Sequence, residues 1–111
     1  MKKFLIVLFL SLTLIGCSKK DNLNPLDEVI NKNNYVIIDV RTQDEYYSGH
    51  IKDAINIPYD QIESLDVSKD KDILVYCASG KRSSIAYNKL VSLGYNVYDL
   101  GAFNQIDLEK E

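Results

Sequence analysis

Short apolar runs separated by polar segments follow one another along the second part of the chain, and each has the length of a β-strand. The runs Tyr35–Val40, Ala54–Ile57, Ile73–Cys77 and Asn96–Leu100 predict four strands. The first run is apolar at successive positions, which is typical of a strand covered on both faces. The pattern therefore predicts a buried sheet.

Helix signals lie between these strands. An N-cap residue followed by proline predicts a helix over Pro25–Asn31. A capping box at Thr42–Glu45 predicts a second helix, which ends near Gly49. The segment Tyr59–Leu65 is a further candidate for a short helix.

The clearest helical periodicity follows the third strand. Ala86, Leu90 and Leu93 recur at the spacing of one helix face, and we expect all three to be buried. The pattern predicts a helix that begins at Ser83 and stops at Gly94.

Strands that alternate with helices predict the α/β class, here a single domain with a mostly parallel sheet and helices on both faces. Ligands of such sheets bind at the carboxyl ends of the strands. Cys77 ends one strand and Asp39 lies near the end of another, so we expect these two residues to face the same site.

The first residues carry a different pattern. Lys2 and Lys3 precede an apolar run over Phe4–Ile15, which is shorter than the about 20 residues that span a bilayer. The run closes on Leu-Ile-Gly-Cys, with Cys17 last, and resembles the signal peptide of a bacterial lipoprotein. The resemblance implies cleavage before Cys17 and acyl chains such as palmitate on that residue.

This interpretation divides the chain into a signal peptide (1–16), a lipidated N-terminus and tether (17–24) and a folded domain (25–111). It predicts a protein of the bacterial cell envelope that faces outside the cytoplasm and is anchored to a membrane by its lipid. An ordinary signal peptide with an incidental Cys17 is the alternative.

Composition and charge exclude several kinds of site and partner. With Cys17 lipidated, Cys77 has no cysteine left to pair with, so no disulfide is expected. One histidine and no paired cysteines argue against a metal site, and we expect no cofactor. The formal charge of −3 becomes more negative when Lys2 and Lys3 are removed, which argues against nucleic acid as a partner. We expect a monomer.

Cys77 is the candidate nucleophile. It ends a buried strand and enters the small polar loop Ala78–Arg82, after which a helix begins. Backbone N–H groups and a helix N-terminus converge there and favour a thiolate. With Lys81 and Arg82 adding positive charge, the pKa of the thiol should fall from about 8.5 toward the ~3.5–7.5 of reactive cysteines. An inert buried cysteine is the alternative.

A series of short motifs runs in order from about Leu26 to Phe103 and lies in several separate segments. The motifs are Asp39-Val40-Arg41, Glu45-Tyr46, Gly49-His50-Ile51, Ala54-Ile55-Asn56-Ile57-Pro58, Tyr76-Cys77, Ser79-Gly80, Arg82-Ser83, Ala86, Leu90 and Gly94-Tyr95. Together they resemble the rhodanese-like domain family. The sequence departs from the family at Gly101-Ala102-Phe103 and Ile106, where members often have a second glycine and a tryptophan, so local packing there should differ.

The resemblance implies a sulfurtransferase. Cys77 would take a sulfane sulfur from a small donor such as thiosulfate as a persulfide and pass it to a thiol or to cyanide. Ala78, Ser79, Gly80, Lys81 and Arg82 would form the substrate-binding loop. Asp39 and Arg41 would support the site through capping and ion pairing rather than by binding substrate. His50 would be a packed turn residue and not a catalytic base.

Two rival functions are consistent with the same residues. A cysteine phosphatase of the related fold usually places one residue more between nucleophile and arginine, whereas here four residues separate Cys77 from Arg82. A carrier or binding module that holds a persulfide without turnover is the other rival.

Overall fold

The computed structural model describes residues 24–111. The predicted signal peptide, Cys17 and all of the tether except Asn24 lie outside the described residues. The chain divides into two compact units, and the boundary between them lies between Asn33 and Asn34. The described part of the first unit is helix α1 (Pro25–Lys32), which Asn24 caps by accepting the backbone N–H of Leu26.

The second unit is an α/β fold around a four-stranded sheet. Its strands are β1 (Tyr35–Asp39), β2 (Ile55–Asn56), β3 (Asp72–Cys77) and β4 (Asn96–Ala102), in the spatial order β2-β1-β3-β4. Every strand pair is parallel. The predicted fold class is therefore confirmed.

Helices and short helical turns connect the strands. Helix α2 (Gln43–Tyr47) begins at the predicted capping box, in which Thr42 and Glu45 bond to each other's backbone. A 3₁₀ helix covers Tyr59–Ser64, α3 covers Lys81–Ser92 and a second 3₁₀ helix covers Phe103–Gln105. Within residues 24–111 the structure has no helix long and apolar enough to cross a bilayer.

Two details of the helix after β3 differ from the prediction. It begins at Lys81 rather than Ser83, because Gly80 takes the N-cap position with φ of 100°. Leu93 is not on the buried face, since it follows the last helical residue and is 42 % exposed. Ser83 joins Ala86 and Leu90 on that face instead.

The main core lies between α3, the first 3₁₀ helix and one face of the sheet. It contains β-strand residues, helix residues and Tyr95, whose hydroxyl donates to the carbonyl of Leu65. Its buried members are Ile38, Val40, Ile62, Leu65, Ile73, Val75, Cys77, Ala86, Leu90, Tyr95 and Val97. Cys77 is thus part of the buried core of the domain.

The opposite face of the sheet holds Tyr76, whose ring stacks on Phe103 at 5.7 Å between centroids. Phe103 and the buried Ile106 lie in the segment where the sequence departs from the family pattern. The guanidinium of Arg41 lies 4.4 Å from the centre of the Phe103 ring. An aromatic ring and an aliphatic side chain therefore complete the packing of this segment.

Candidate active site

Cys77 is the last residue of β3 and has no solvent-exposed surface. Its Sγ accepts the backbone N–H of Gly80 at 2.9 Å. Because β3 is flanked by β1 and β4, the sulfur sits at the carboxyl end of a central strand, where α/β folds bind their ligands. The loop that follows is more open, since Ala78 and Ser79 are exposed.

The loop is shorter than predicted and is shaped by glycines. Lys81 and Arg82 belong to the first turn of α3, so only Ala78–Gly80 lie between strand and helix. Gly80 has a positive φ, and its own N–H points at Sγ. A register shift in β4 brings Gly101 beside Gly80, and a Cβ on Gly80 would lie 3.8 Å from the Gly101 Cα.

Opposing effects set the pKa of the Cys77 thiol. Burial raises it, but hydrogen bonds from the hydroxyl and N–H of Ser83 and from the N–H groups of Gly80 and Ser79 lower it. The hydrogen bonds prevail, so the pKa of Cys77 lies below that of an ordinary cysteine. A helix N-terminus that stabilises an anion in this way suits a nucleophilic thiolate.

Sequence reasoning missed Ser83. Its side chain is completely buried, and its hydroxyl donates to the carbonyl oxygen of Gly80 at 3.1 Å. The signal was its spacing, because Ser83 precedes Ala86 and Leu90 by three and seven residues and so shares their buried face.

Ser83→Ala is expected to raise the pKa of Cys77, because the Ser83 hydroxyl, which donates to the Gly80 carbonyl in this structure, can turn to donate to the thiolate and so lowers that pKa. At a pH below the pKa of Cys77 the thiol is protonated and does not act as a nucleophile. The acid limb of the curve of alkylation rate against pH should therefore move to higher pH by about one unit. The measurement is the pH dependence of the alkylation rate of Cys77. The control is Ser84→Ala, a substitution at the exposed neighbouring serine. If both variants showed the same pH dependence of the alkylation rate, Ser83 would have no influence on the thiol of Cys77.

The two cations that follow the loop, Lys81 and Arg82, have different surroundings. Lys81 is exposed. Arg82 turns to Glu45 on α2, with Nη1–Oε1 and Nη2–Oε2 distances of 2.8 Å and 3.1 Å. This pair lowers the pKa of Glu45 to about 2. Arg82 is therefore held by a carboxylate, while its positive charge still interacts favourably with the sulfur of Cys77 when the thiol is ionised.

Asp39 and Cys77 lie on opposite faces of the sheet, contrary to prediction. The reason is register, because Asp39 is level with Tyr76, whose side chain points away from that of Cys77. Asp39 binds Arg41 through both carboxylate oxygens and accepts the hydroxyl of Tyr76 at 2.8 Å. Arg41 also donates to the carbonyl of Gly49 at 2.6 Å. These bonds tie the end of β1 to neighbouring segments.

His50 stacks on the ring of Tyr46 at 3.8 Å, and its Nδ1 lies 2.9 Å from the Tyr46 carbonyl oxygen. Its Nε2 lies 3.4 Å from the carboxylate of Glu111. These contacts are those of a packed turn residue. Among residues 24–111, no group of three or more His, Cys, Asp or Glu side chains is arranged to hold a metal ion.

Comparison with known proteins places this site in a family. The model of the rhodanese-like domain matches residues 22–107. Over 76 residues the chain is 37 % identical to the thiosulfate sulfurtransferase GlpE of Coxiella burnetii, covering 66 % of this chain and 71 % of that protein. It is 36 % identical to the adenylyltransferase and sulfurtransferase UBA4 of Candida albicans over 67 % of this chain, but spans only 20 % of that longer protein.

A solved structure described as a rhodanese with anions from E. coli has the same fold. It superposes with a TM-score of 0.66 at 30 % identity, over 69 % of this chain and 96 % of that one.

Proposed function

The chain belongs to the rhodanese-like domain family, and from this premise we propose that it transfers a sulfane sulfur from a small donor to a thiophilic acceptor through a persulfide on Cys77. The observation that carries the proposal is the hydrogen bond from the Gly80 N–H to Sγ at the N-terminus of α3. It stabilises negative charge on sulfur, which both the attacking thiolate and the persulfide require.

The reaction is a double displacement. The Cys77 thiolate attacks the outer sulfur of thiosulfate, the sulfur–sulfur bond of the donor breaks, and sulfite leaves with the bonding electron pair. The carbon of cyanide, or the sulfur of a thiolate, then attacks the outer sulfur of the persulfide. With cyanide the second sulfur–sulfur bond breaks to give thiocyanate and the free Cys77 thiolate. Neither step with these anions moves a proton, so no general base is required.

Two features of the chain make this assignment physically reasonable. Hydrogen bonds to the sulfur lower the pKa of Cys77, which favours the thiolate without a neighbouring histidine. The short loop over Ala78–Gly80 brings small residues and N–H groups close to sulfur, whereas a tetrahedral phosphate calls for a wider ring of donors. Sulfur transfer is therefore favoured over phosphate ester hydrolysis, and wild-type protein should show negligible activity on aryl phosphates.

A persulfide carrier is the second candidate, and the complete burial of Cys77 favours it. A carrier would be loaded by a donor and would hold the sulfur until a specific partner opened the loop. Transfer to free cyanide separates the two functions, because an enzyme turns over repeatedly and a carrier releases at most one equivalent. Loading of Cys77 from thiosulfate tests the proposal itself.

We further propose that the protein is a lipoprotein of the bacterial cell envelope. The support is the sequence Leu-Ile-Gly-Cys after a short basic and apolar start. Acyl chains on Cys17 and its amine would anchor the domain stably, because several chains bind a bilayer where one binds only marginally.

Cys17→Ala is expected to abolish lipidation of the chain, because the acyl chains would be attached at this residue. Wild-type protein expressed in bacteria should enter the detergent phase and begin at a lipid-modified Cys17, whereas the variant should stay unlipidated and uncleaved at this position. Detergent partitioning and mass spectrometry of the N-terminal peptide are the measurements. The control is Cys77→Ala, which should partition as wild type does. An unmodified wild-type Cys17 would contradict the lipoprotein proposal.

A further inference from the structure

The two cations at the start of α3 differ in what surrounds them. Lys81 is exposed, while the side chain of Arg82 is 28 % exposed and faces Glu45, which is 35 % exposed. The two terminal nitrogens of the Arg82 guanidinium each donate to one oxygen of this carboxylate. Such a bidentate pair is stronger than a single charged hydrogen bond. The pair links α2 to the first turn of the active-site helix.

Glu45 is held in place from its other side. Its Oε1 accepts the backbone N–H and the hydroxyl of Thr42, each at 3.0 Å, as part of the capping box of α2. The same carboxylate therefore caps a helix and binds Arg82. With a pKa of about 2, Glu45 remains charged through the whole range in which the protein would act.

This arrangement changes the charge that a donor meets. Lys81 and Arg82 bring two positive charges, and Glu45 together with an ionised Cys77 brings two negative ones. Without Glu45 the net charge of the remaining three groups would be +1 and would attract a dianion such as thiosulfate more strongly than a monoanion, because the interaction scales with the charge of the donor. Glu45 removes this advantage of the dianion.

We propose that Glu45 is a selectivity residue, which neutralises Arg82 and thereby favours sulfane-sulfur donors of low negative charge, such as organic thiosulfonates, over dianionic thiosulfate. The proposal rests on the proposed function. With methanethiosulfonate, the Cys77 thiolate attacks the outer sulfur, the sulfur–sulfur bond breaks, and methanesulfinate leaves with the electron pair. This donor differs from thiosulfate by a methyl group in place of one charged oxygen, so the two form a matched pair.

The test is Glu45→Gln. A glutamine at this position also completes a capping box, so α2 keeps its cap while Arg82 loses its counter-charge. The ratio of kcat/KM for thiosulfate to that for methanethiosulfonate should rise about three- to tenfold, as expected for one charge near a partly exposed site. Changes in the reactivity of Cys77 itself cancel, because they affect both donors.

Two further variants control for structural effects. Glu63→Gln breaks a different exposed ion pair, with Lys89 at 2.8 Å, and should leave the ratio at the wild-type value. The double variant Glu45→Gln/Arg82→Gln restores the original charge balance and should return the ratio toward that of wild type. An unchanged ratio in Glu45→Gln, or an equal change in Glu63→Gln, would overturn the proposal.

A second readout does not depend on sulfur transfer. Iodoacetate and iodoacetamide alkylate Cys77 with similar size but different charge, and the modified Cys77 peptide can be quantified by mass spectrometry apart from Cys17. Glu45→Gln should raise the ratio of the iodoacetate rate to the iodoacetamide rate, while Glu63→Gln should not. If wild-type protein transferred no sulfur, the proposed function would fail, and this ratio would still show whether Glu45 selects against anions. An unchanged alkylation ratio in Glu45→Gln would overturn that role.

Discussion

Cys77→Ser is expected to abolish sulfur transfer, with a loss of at least about a thousandfold in kcat. A serine hydroxyl stays protonated at neutral pH and forms no persulfide, so the first displacement cannot occur. The measurement is thiocyanate formation from thiosulfate and cyanide. The control is Cys17→Ser, which removes the other cysteine of the chain. This variant should transfer sulfur at the same rate as wild-type protein that carries no lipid.

The loss should not come from unfolding. Serine is close to cysteine in size, and its oxygen can accept the N–H of Gly80 in place of Sγ. The circular dichroism spectrum and the cooperativity of urea unfolding should therefore match those of wild type. A Cys77→Ser variant that turned over at the wild-type rate would show that the nucleophile has been assigned to the wrong residue.

Asp39→Ala is expected to cause the largest loss of stability among the variants considered, about 3–5 kcal/mol in the free energy of unfolding. The carboxylate is completely buried and Arg41 is 5 % exposed, so the variant leaves a buried guanidinium without its counter-charge. Tyr76 loses its hydrogen-bond acceptor as well. Since domains are stable by about 5–15 kcal/mol, this loss would remove a large share of the stability of the domain.

Urea denaturation measures this loss, and Glu63→Ala is the matched control. That substitution also removes a carboxylate from an ion pair, but on the surface, where water screens the charges, so the free energy of unfolding should change far less. Equal losses in the two variants would show that the Asp39–Arg41 pair contributes no more than a surface contact.

Local patterns in the sequence were sufficient to predict much of the fold. Strand-length apolar runs located all four strands, and the capping box at Thr42 located the start of α2. Boundaries were less accurate. Strand β2 shortened to Ile55–Asn56, and β4 extended past its predicted end through a register shift at Tyr76. Shifts of this kind depend on pairing with another strand and leave no local signal.

The candidate site was predicted in part. The setting of Cys77 follows from consecutive residues, a strand that enters a glycine-containing loop and a helix, and it could be predicted from them. The partners of Arg82 and Tyr76 could not, because Glu45 and Asp39 each lie 37 residues away along the chain. Strand register also decided which face Asp39 occupies, and residue type alone does not specify register.

The central claim, a persulfide on Cys77, is tested most directly by intact mass spectrometry of the Cys17→Ser chain, in which Cys77 is the remaining cysteine. Incubation with thiosulfate should add the mass of one sulfur atom per molecule, and cyanide should remove it with release of one equivalent of thiocyanate. The account would be contradicted if thiosulfate added no mass, or if Cys17→Ser/Cys77→Ser gained the same sulfur.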